Sequence, residues 1–131
     1  MIVLRHLLNF IWPSFTPFEK ALFEKLGKSL DKKEADILFS QLDEINFVQR
    51  HRGDVEICFY KVKNLSISQD RTKKFPSDGE VLLCKCIVKV DNLSAEMEAW
   101  LVNGNLFSLE FSEEMECYRN TTNFDLKLLS T

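Results

Sequence analysis

The sequence is short of the residues on which most recognisable chemistry depends. Only two histidines, His6 and His51, occur in 131 residues, so an imidazole base or ligand has two possible origins. Four cysteines, Cys58, Cys84, Cys86 and Cys117, are too sparse for a disulfide scaffold and best fit reduced thiols. Four glycines and three prolines exclude collagen-like repeats and leave little room for low-complexity linkers. No GxSxG, CxxC, HExxH, P-loop or GxGxxG spacing is present. No catalytic residue, metal or cofactor is therefore expected. The most apolar stretch, MIVLRHLLNFIWPSF at the start, is interrupted by Arg5, His6, Asn9 and Pro13. It is too short to span a bilayer and lacks the layout of a signal peptide, so no stable membrane insertion is expected.

Cationic residues are absent from one long segment. From Val90 to Cys117 there are seven acidic residues (Asp91, Glu96, Glu98, Glu110, Glu113, Glu114, Glu116) and no Lys, Arg or His. The formal net charge is only −3, so the rest of the chain is mildly basic. Nucleic-acid binding usually needs a basic surface that releases counterions, and this balance argues against it. An acidic block on a basic body suits a basic protein partner instead.

What the chain does have is apolar mass, 45% hydrophobic residues with eleven Phe, enough for one domain over residues 1–131. Val3, Leu4, Leu7, Leu8 and Ile11 share a helical stripe over 3–12. Thr16-Pro17-Phe18-Glu19 has the spacing of a capping box with Pro in the first turn, which starts a helix over 17–28. Asp31 to Glu34 repeats the spacing, and Ala35, Leu38, Phe39, Leu42 and Ile45 keep a 3.6-residue period over 32–45. The period then drops to two. Strands are expected over 47–51 and 55–62, around the Arg52-Gly53-Asp54 turn, and over 81–91, 96–102 and 105–111. A final strand is expected over 124–129, and residues 63–80 read as one long loop with a basic knot of Arg71, Lys73 and Lys74. On the strand over 81–91, Leu82, Cys84, Cys86, Val88 and Val90 should face inward. The fold class is α+β, N-terminal helices packed on a mostly antiparallel sheet of about five or six strands.

The strongest local signal is EMEAWLVNGNLFSLEF, Glu96 to Phe111. Asn103-Gly104 suits a type I′ turn, where both residues take positive φ. A regular two-residue hairpin pairs Trp100 with Phe107 and Glu98 with Leu109, which sends Trp100, Val102, Phe107, Leu109 and Phe111 to a core face. Leu101 and Leu106 then project from the other face near the tip. With Glu96, Glu110, Glu113, Glu114 and Glu116 around them, they form the expected partner-binding patch, apolar at its centre and acidic at its rim. The same face could also support a homodimer. A second arrangement puts Glu98 against apolar walls, with His51 and Tyr60 converging on it in an aromatic-lined pocket for a small ligand or reaction.

The segment AWLVNGNLFSLEF resembles one that recurs in small uncharacterised bacterial proteins with a helix pair followed by a β-meander; the likeness runs from about Pro17 to Phe111. In general type the chain is similar to the immunity proteins of contact-dependent growth inhibition and other polymorphic toxin systems. That resemblance implies a short, single-domain cytoplasmic protein that neutralises a cognate toxin, commonly a nuclease, by tight binding. It implies no catalytic residues. The expectation is thus a non-enzymatic protein-binding domain, with a small-ligand binder or enzyme as the alternative.

Overall fold

The computed structural model describes residues 15–130. The helix expected over 3–12 lies outside them. Two helices, α1 (Pro17–Ser29) and α2 (Lys32–Glu44), are followed by strands β1 (Phe47–His51), β2 (Glu56–Lys63), β3 (Ser66–Ser68), β4 (Glu80–Val90), β5 (Leu93–Val102), β6 (Asn105–Phe111) and β7 (Asp125–Ser130). Single 3-10 turns at Arg52–Asp54 and Glu116–Tyr118 join β1 to β2 and precede β7.

The helices start where their caps dictate. Thr16 Oγ accepts from the Glu19 N–H while Glu19 accepts from the Thr16 N–H, a closed capping box with Pro17 in the first turn. Asp31 caps α2 through the Glu34 N–H. Glu19 has a second task. It is almost fully buried, and Arg50 of β1 donates to both of its carboxylate oxygens, at 2.9 and 2.6 Å. The α1 cap is therefore also the ionic tie between helix layer and sheet.

The strands form one antiparallel sheet in the order β1-β2-β6-β5-β4-β7. Strands β4, β5 and β6 make the expected meander, and β7 returns to the outer edge of β4. The loop expected over 63–80 is not continuous. β2 turns back at Asn64-Leu65, both at positive φ, and pairs with β3. Periodicity did not reveal β3, because Ser66-Ile67-Ser68 is held by backbone pairing with β2 and buries little; Ile67 itself is exposed. Further on, Phe75 is buried in the core and pins the loop to the hairpin tip.

Both helices lie on one sheet face. Their Phe18, Leu22, Phe23, Leu26, Ile37 and Leu38 pack against Ile57, Phe59, Cys84, Cys86, Val88, Met97, Ala99, Leu101, Leu106 and Leu109. Cys84 and Cys86 are fully buried small apolar residues here, and all four cysteines are free thiols.

The hairpin itself corrects the expected register. Asn103 and Gly104 do take positive φ (50° and 79°), and Val102 pairs with Asn105 and Leu101 with Leu106. Trp100, however, pairs with Ser108, so Phe107 is an extra residue, a β-bulge on β6. Beyond a bulge the alternation slips by one. Leu101 and Leu106, expected at the surface, are consequently core residues, 3% and 1% exposed. Leu109 and Phe111 join them, while Trp100, Val102 and Phe107 move to the opposite face and are half-buried. A second irregularity at Leu83 does the same to Leu82, which lies opposite Trp100 rather than among Cys84, Cys86, Val88 and Val90.

Gln41 accounts for how the bulge is tolerated. β2 pairs with β6 only as far as Cys58 and Ser108, then departs toward β3. The Leu106 N–H beyond that point donates to Gln41 Oε1 at 2.7 Å. Gln41 Nε2 donates to the carbonyls of Gly104 (3.0 Å) and Lys73 (2.9 Å). This fully buried amide from α2 thus stands in for a missing strand and ties the loop to the hairpin tip. Gly104 is required there for a second reason: a Cβ would run into the Phe75 carbonyl.

Candidate functional site

The sheet face opposite the helices carries the side chains that alternation takes away from the core, and no described element covers it. Registers assemble it in three cross-strand rows. At one end, Phe47, Tyr60 and Phe107 line up with ring centroids 5.8 and 5.9 Å apart, the second pair edge-on. The middle row is Gln49, Cys58, Ser108, Trp100 and Leu82. The third runs His51, Glu56, Glu110, Glu98 and Lys85.

Three glutamates on three adjacent strands therefore stand directly beside one another. Like charges placed opposite each other in a sheet are destabilising, and a sequence selected only for stability would alternate their signs. Burial, and then a shared hydrogen bond with Glu56, hold the Glu110 carboxyl above its ordinary range; the charges of Glu56 and Glu98 add to this, and the Trp100 indole pulls slightly the other way. Lys85 at the far end sits 3.7 Å from Glu96, whose side chain belongs to the same face. Lys85, Glu96, Glu98, Glu110 and Ser112 line a shallow cavity of about 230 Å³.

The link after β6 extends the acidic surface. The Ser112 N–H donates to the Glu96 carbonyl, and the Met115 N–H to the Gly53 carbonyl, so the link lies across the ends of β5 and of the β1–β2 turn. Gly53 has φ 67°, and a Cβ there would stand 2.7 Å from the Glu114 carboxyl carbon. Asp54, also at positive φ, is buried and clasped by two Arg119 nitrogens at 2.7 and 2.8 Å. Burial of the carboxylate is thereby compensated, and the hydrogen bonds to Asp54 push the Arg119 guanidinium up. Glu113, Glu114 and Glu116 are exposed around this anchored link, with Glu116 3.8 Å from Arg119.

Of the residues expected to meet a partner, Glu96, Glu110, Glu113, Glu114 and Glu116 lie at one end of the sheet. Leu101 and Leu106 do not belong with them, and neither a partner nor a second copy of the chain reaches them in the folded protein. Glu98, His51 and Tyr60 share a face but do not converge. His51 and Glu98 are three strand steps apart, about 14 Å, and Tyr60 lies in a different row.

Tyr60 lines a separate cavity of about 210 Å³, with Phe59, Ile67, Arg71, Asn105 and Phe107 among its walls. It opens where β2 leaves β6 for β3. Arg71 Nε and Asn105 Oδ1 are buried there with no hydrogen-bond partner among the described residues. Burial draws the Arg71 guanidinium down from its ordinary value. In the sequence Arg71 belongs to the basic knot and Asn105 only begins the strand expected over 105–111.

One juxtaposition has no signature in sequence spacing. The β1–β2 register sets His51 opposite Glu56 and one step from Cys58, so that one ligand atom from each lies within 4.8 Å of the others. Cys58 is buried, and burial, with the charge of Glu56 behind it, pushes its thiol up to about 11. Set against models of known families, curated proteins and solved structures, the chain matches none.

Proposed function

We propose that this chain is a non-enzymatic protein-binding domain whose acidic sheet end docks on a basic protein. Its most specific form is a cytoplasmic immunity protein that neutralises a cognate toxin, such as a nuclease, by occlusion. The observation that carries the reading is the adjacent row of Glu56, Glu110 and Glu98, continued by Glu96 and the Glu113–Glu116 link. Such an array is unfavourable alone and becomes favourable when lysines and arginines meet it. Carboxylates spaced across adjacent strands, about 5 Å apart, can occupy positions that a nuclease keeps for phosphates. Trp100 in the next row, and the Phe47, Tyr60 and Phe107 row beyond it, supply the apolar contact that gives affinity. Among the described residues no helix is long and apolar enough to cross a membrane.

The test is affinity capture of the product of the adjacent gene, with charge reversal at Glu110, Glu113 and Glu114. Association should weaken steeply between low and physiological salt and fall at least tenfold on reversal, mainly through a slower on-rate. Unchanged binding after reversal would sink the electrostatic mechanism.

The cavity beside Tyr60 favours a second reading, a small-ligand binder. Its unpartnered Arg71 donor and Asn105 acceptor suit a compact polar group carried on an apolar body. At about 210 Å³ the cavity is smaller than the roughly 300 Å³ at which drug-sized sites begin, so only a small metabolite would fit. Amide chemical-shift changes confined to residues 67–71 and 105–107 on adding small carboxylates or amides would support it; a silent screen would discard it.

A further inference from the structure

We infer that His51, Glu56 and Cys58 form a binding site for one divalent, zinc-type cation at the open end of the sheet. The site shares Glu56 with the acidic row of the docking reading but is argued independently of it. Three observations carry it.

The first is the donor set. An imidazole nitrogen, a carboxylate oxygen and a thiol sulfur lie within 4.8 Å of one another. Zinc accepts all three at about 2.0–2.3 Å, which puts tetrahedral ligands about 3.5 Å apart. The donors need to draw together by only about 1 Å, within the reach of a change in side-chain torsion. His51 and Glu56 are free to make it, since their side chains are 43% and 38% exposed and lie 3.9 Å apart. Cys58 is buried and fixes the floor of the site.

The second is the scaffold. All three residues sit on a paired antiparallel ladder, His51 opposite Glu56 and Gln49 opposite Cys58, so backbone hydrogen bonds hold the spacing. The turn between them, Arg52 to Asp54, runs at positive φ throughout and is tied down by the Arg119–Asp54 pair and by the Met115 N–H on the Gly53 carbonyl. A rigid hairpin end presenting mixed N, O and S donors is a preorganised ligand set.

The third is charge. Glu110 stands directly opposite Glu56 on the neighbouring strand, and Glu98 opposite Glu110 on the next. A dication at Glu56 offsets the repulsion along that row, and Glu110 behind it orients the Glu56 carboxylate. Three protein ligands leave a fourth position for water, and uptake releases the Cys58 thiol proton to solvent.

The experiment uses the full chain, stripped with chelator and titrated with Co²⁺, then with Zn²⁺ in competition. Expected are one ion per chain, a sulfur-to-cobalt charge-transfer absorption in the near ultraviolet, and loss of that absorption as Zn²⁺ replaces Co²⁺. Cys58→Ser should abolish the absorption. His51→Ala and Glu56→Gln should each weaken uptake by more than the roughly 10–100-fold typical of losing an outer-sphere partner. Cys117→Ser, at the exposed cysteine, should change nothing. His51 and Glu56 are surface positions whose variants should fold, which circular dichroism checks, so the test stands even if Cys58→Ser does not fold. No stoichiometric uptake, uptake equal in the His51 and Glu56 variants, or an absorption lost in Cys117→Ser would overturn the site.

Discussion

Glu110→Gln should stabilise the folded protein at neutral pH while weakening its grip on a basic partner. Glu110 faces Glu56 across one strand pair and Glu98 across the other. Each directly opposed like-charge pair costs of the order of 0.2–1 kcal/mol. The row is partly solvated, so screening trims the sum, and removing both pairs should gain about 1 kcal/mol. For a chain of this length that is a rise in Tm of about 4 °C. Glutamine has nearly the same volume as glutamate, so packing should not mask the effect.

The pH dependence carries the sign. The folded state holds the Glu110 proton more tightly than the unfolded chain, because burial and Glu56 raise its pKa. The stabilisation tied to that proton is fully present below the ordinary carboxylate value, about 4.3, and is lost as pH rises through the raised folded value. Glutamine never ionises. The gap between variant and parent should therefore be widest near pH 7 and close as pH falls toward the ordinary carboxylate range. Urea unfolding of both proteins across that range, read by tryptophan fluorescence, measures it. A variant no more stable than the parent at pH 7, or a gain of the same size at pH 4, would refute the picture of three glutamates in mutual repulsion. A gain in stability with a loss of binding would mark a surface kept for function at the expense of stability.

Other outcomes test the fold. Leu106→Ala should cost about 2–5 kcal/mol, as for a core leucine, and solvent-exposed chemistry at that position should be absent; a cost below about 0.5 kcal/mol would return Leu106 to the surface. Gln41→Leu should cost about 1–3 kcal/mol in urea unfolding, because the Leu106 N–H is left buried without a partner, whereas the Gly104 carbonyl keeps the Phe75 N–H. Hydrogen exchange at Leu106 should speed up in the same variant, and protection equal to the parent would show that the amide is held by something else.

The secondary structure was largely legible in the sequence because it is set by short-range rules. Capping-box spacings placed the starts of both helices, Asn103-Gly104 placed the hairpin turn, and alternation found six of the seven strands among the described residues. β3 was missed because three residues held by backbone pairing alone leave no hydrophobic pattern. The site was legible as composition only: the sequence marked an acidic block without saying which carboxylates would touch. It also put Leu101 and Leu106 on the wrong face, because a single extra residue at Phe107 reverses every assignment that depends on a period of two.

By itself, then, the chain determined its elements, its α+β class and the acidic character of one end. Tertiary structure decided what lies beside what. Whether the backbone beside the Phe107 bulge is satisfied depends on Gln41, a residue 66 positions earlier that accepts from the Leu106 N–H where β2 departs. Which carboxylates repel depends on β2 and β5 both pairing with β6, and whether His51 can meet Cys58 depends on the β1–β2 register. These are long-range contacts between strands and helix layer, and no local spacing encodes them.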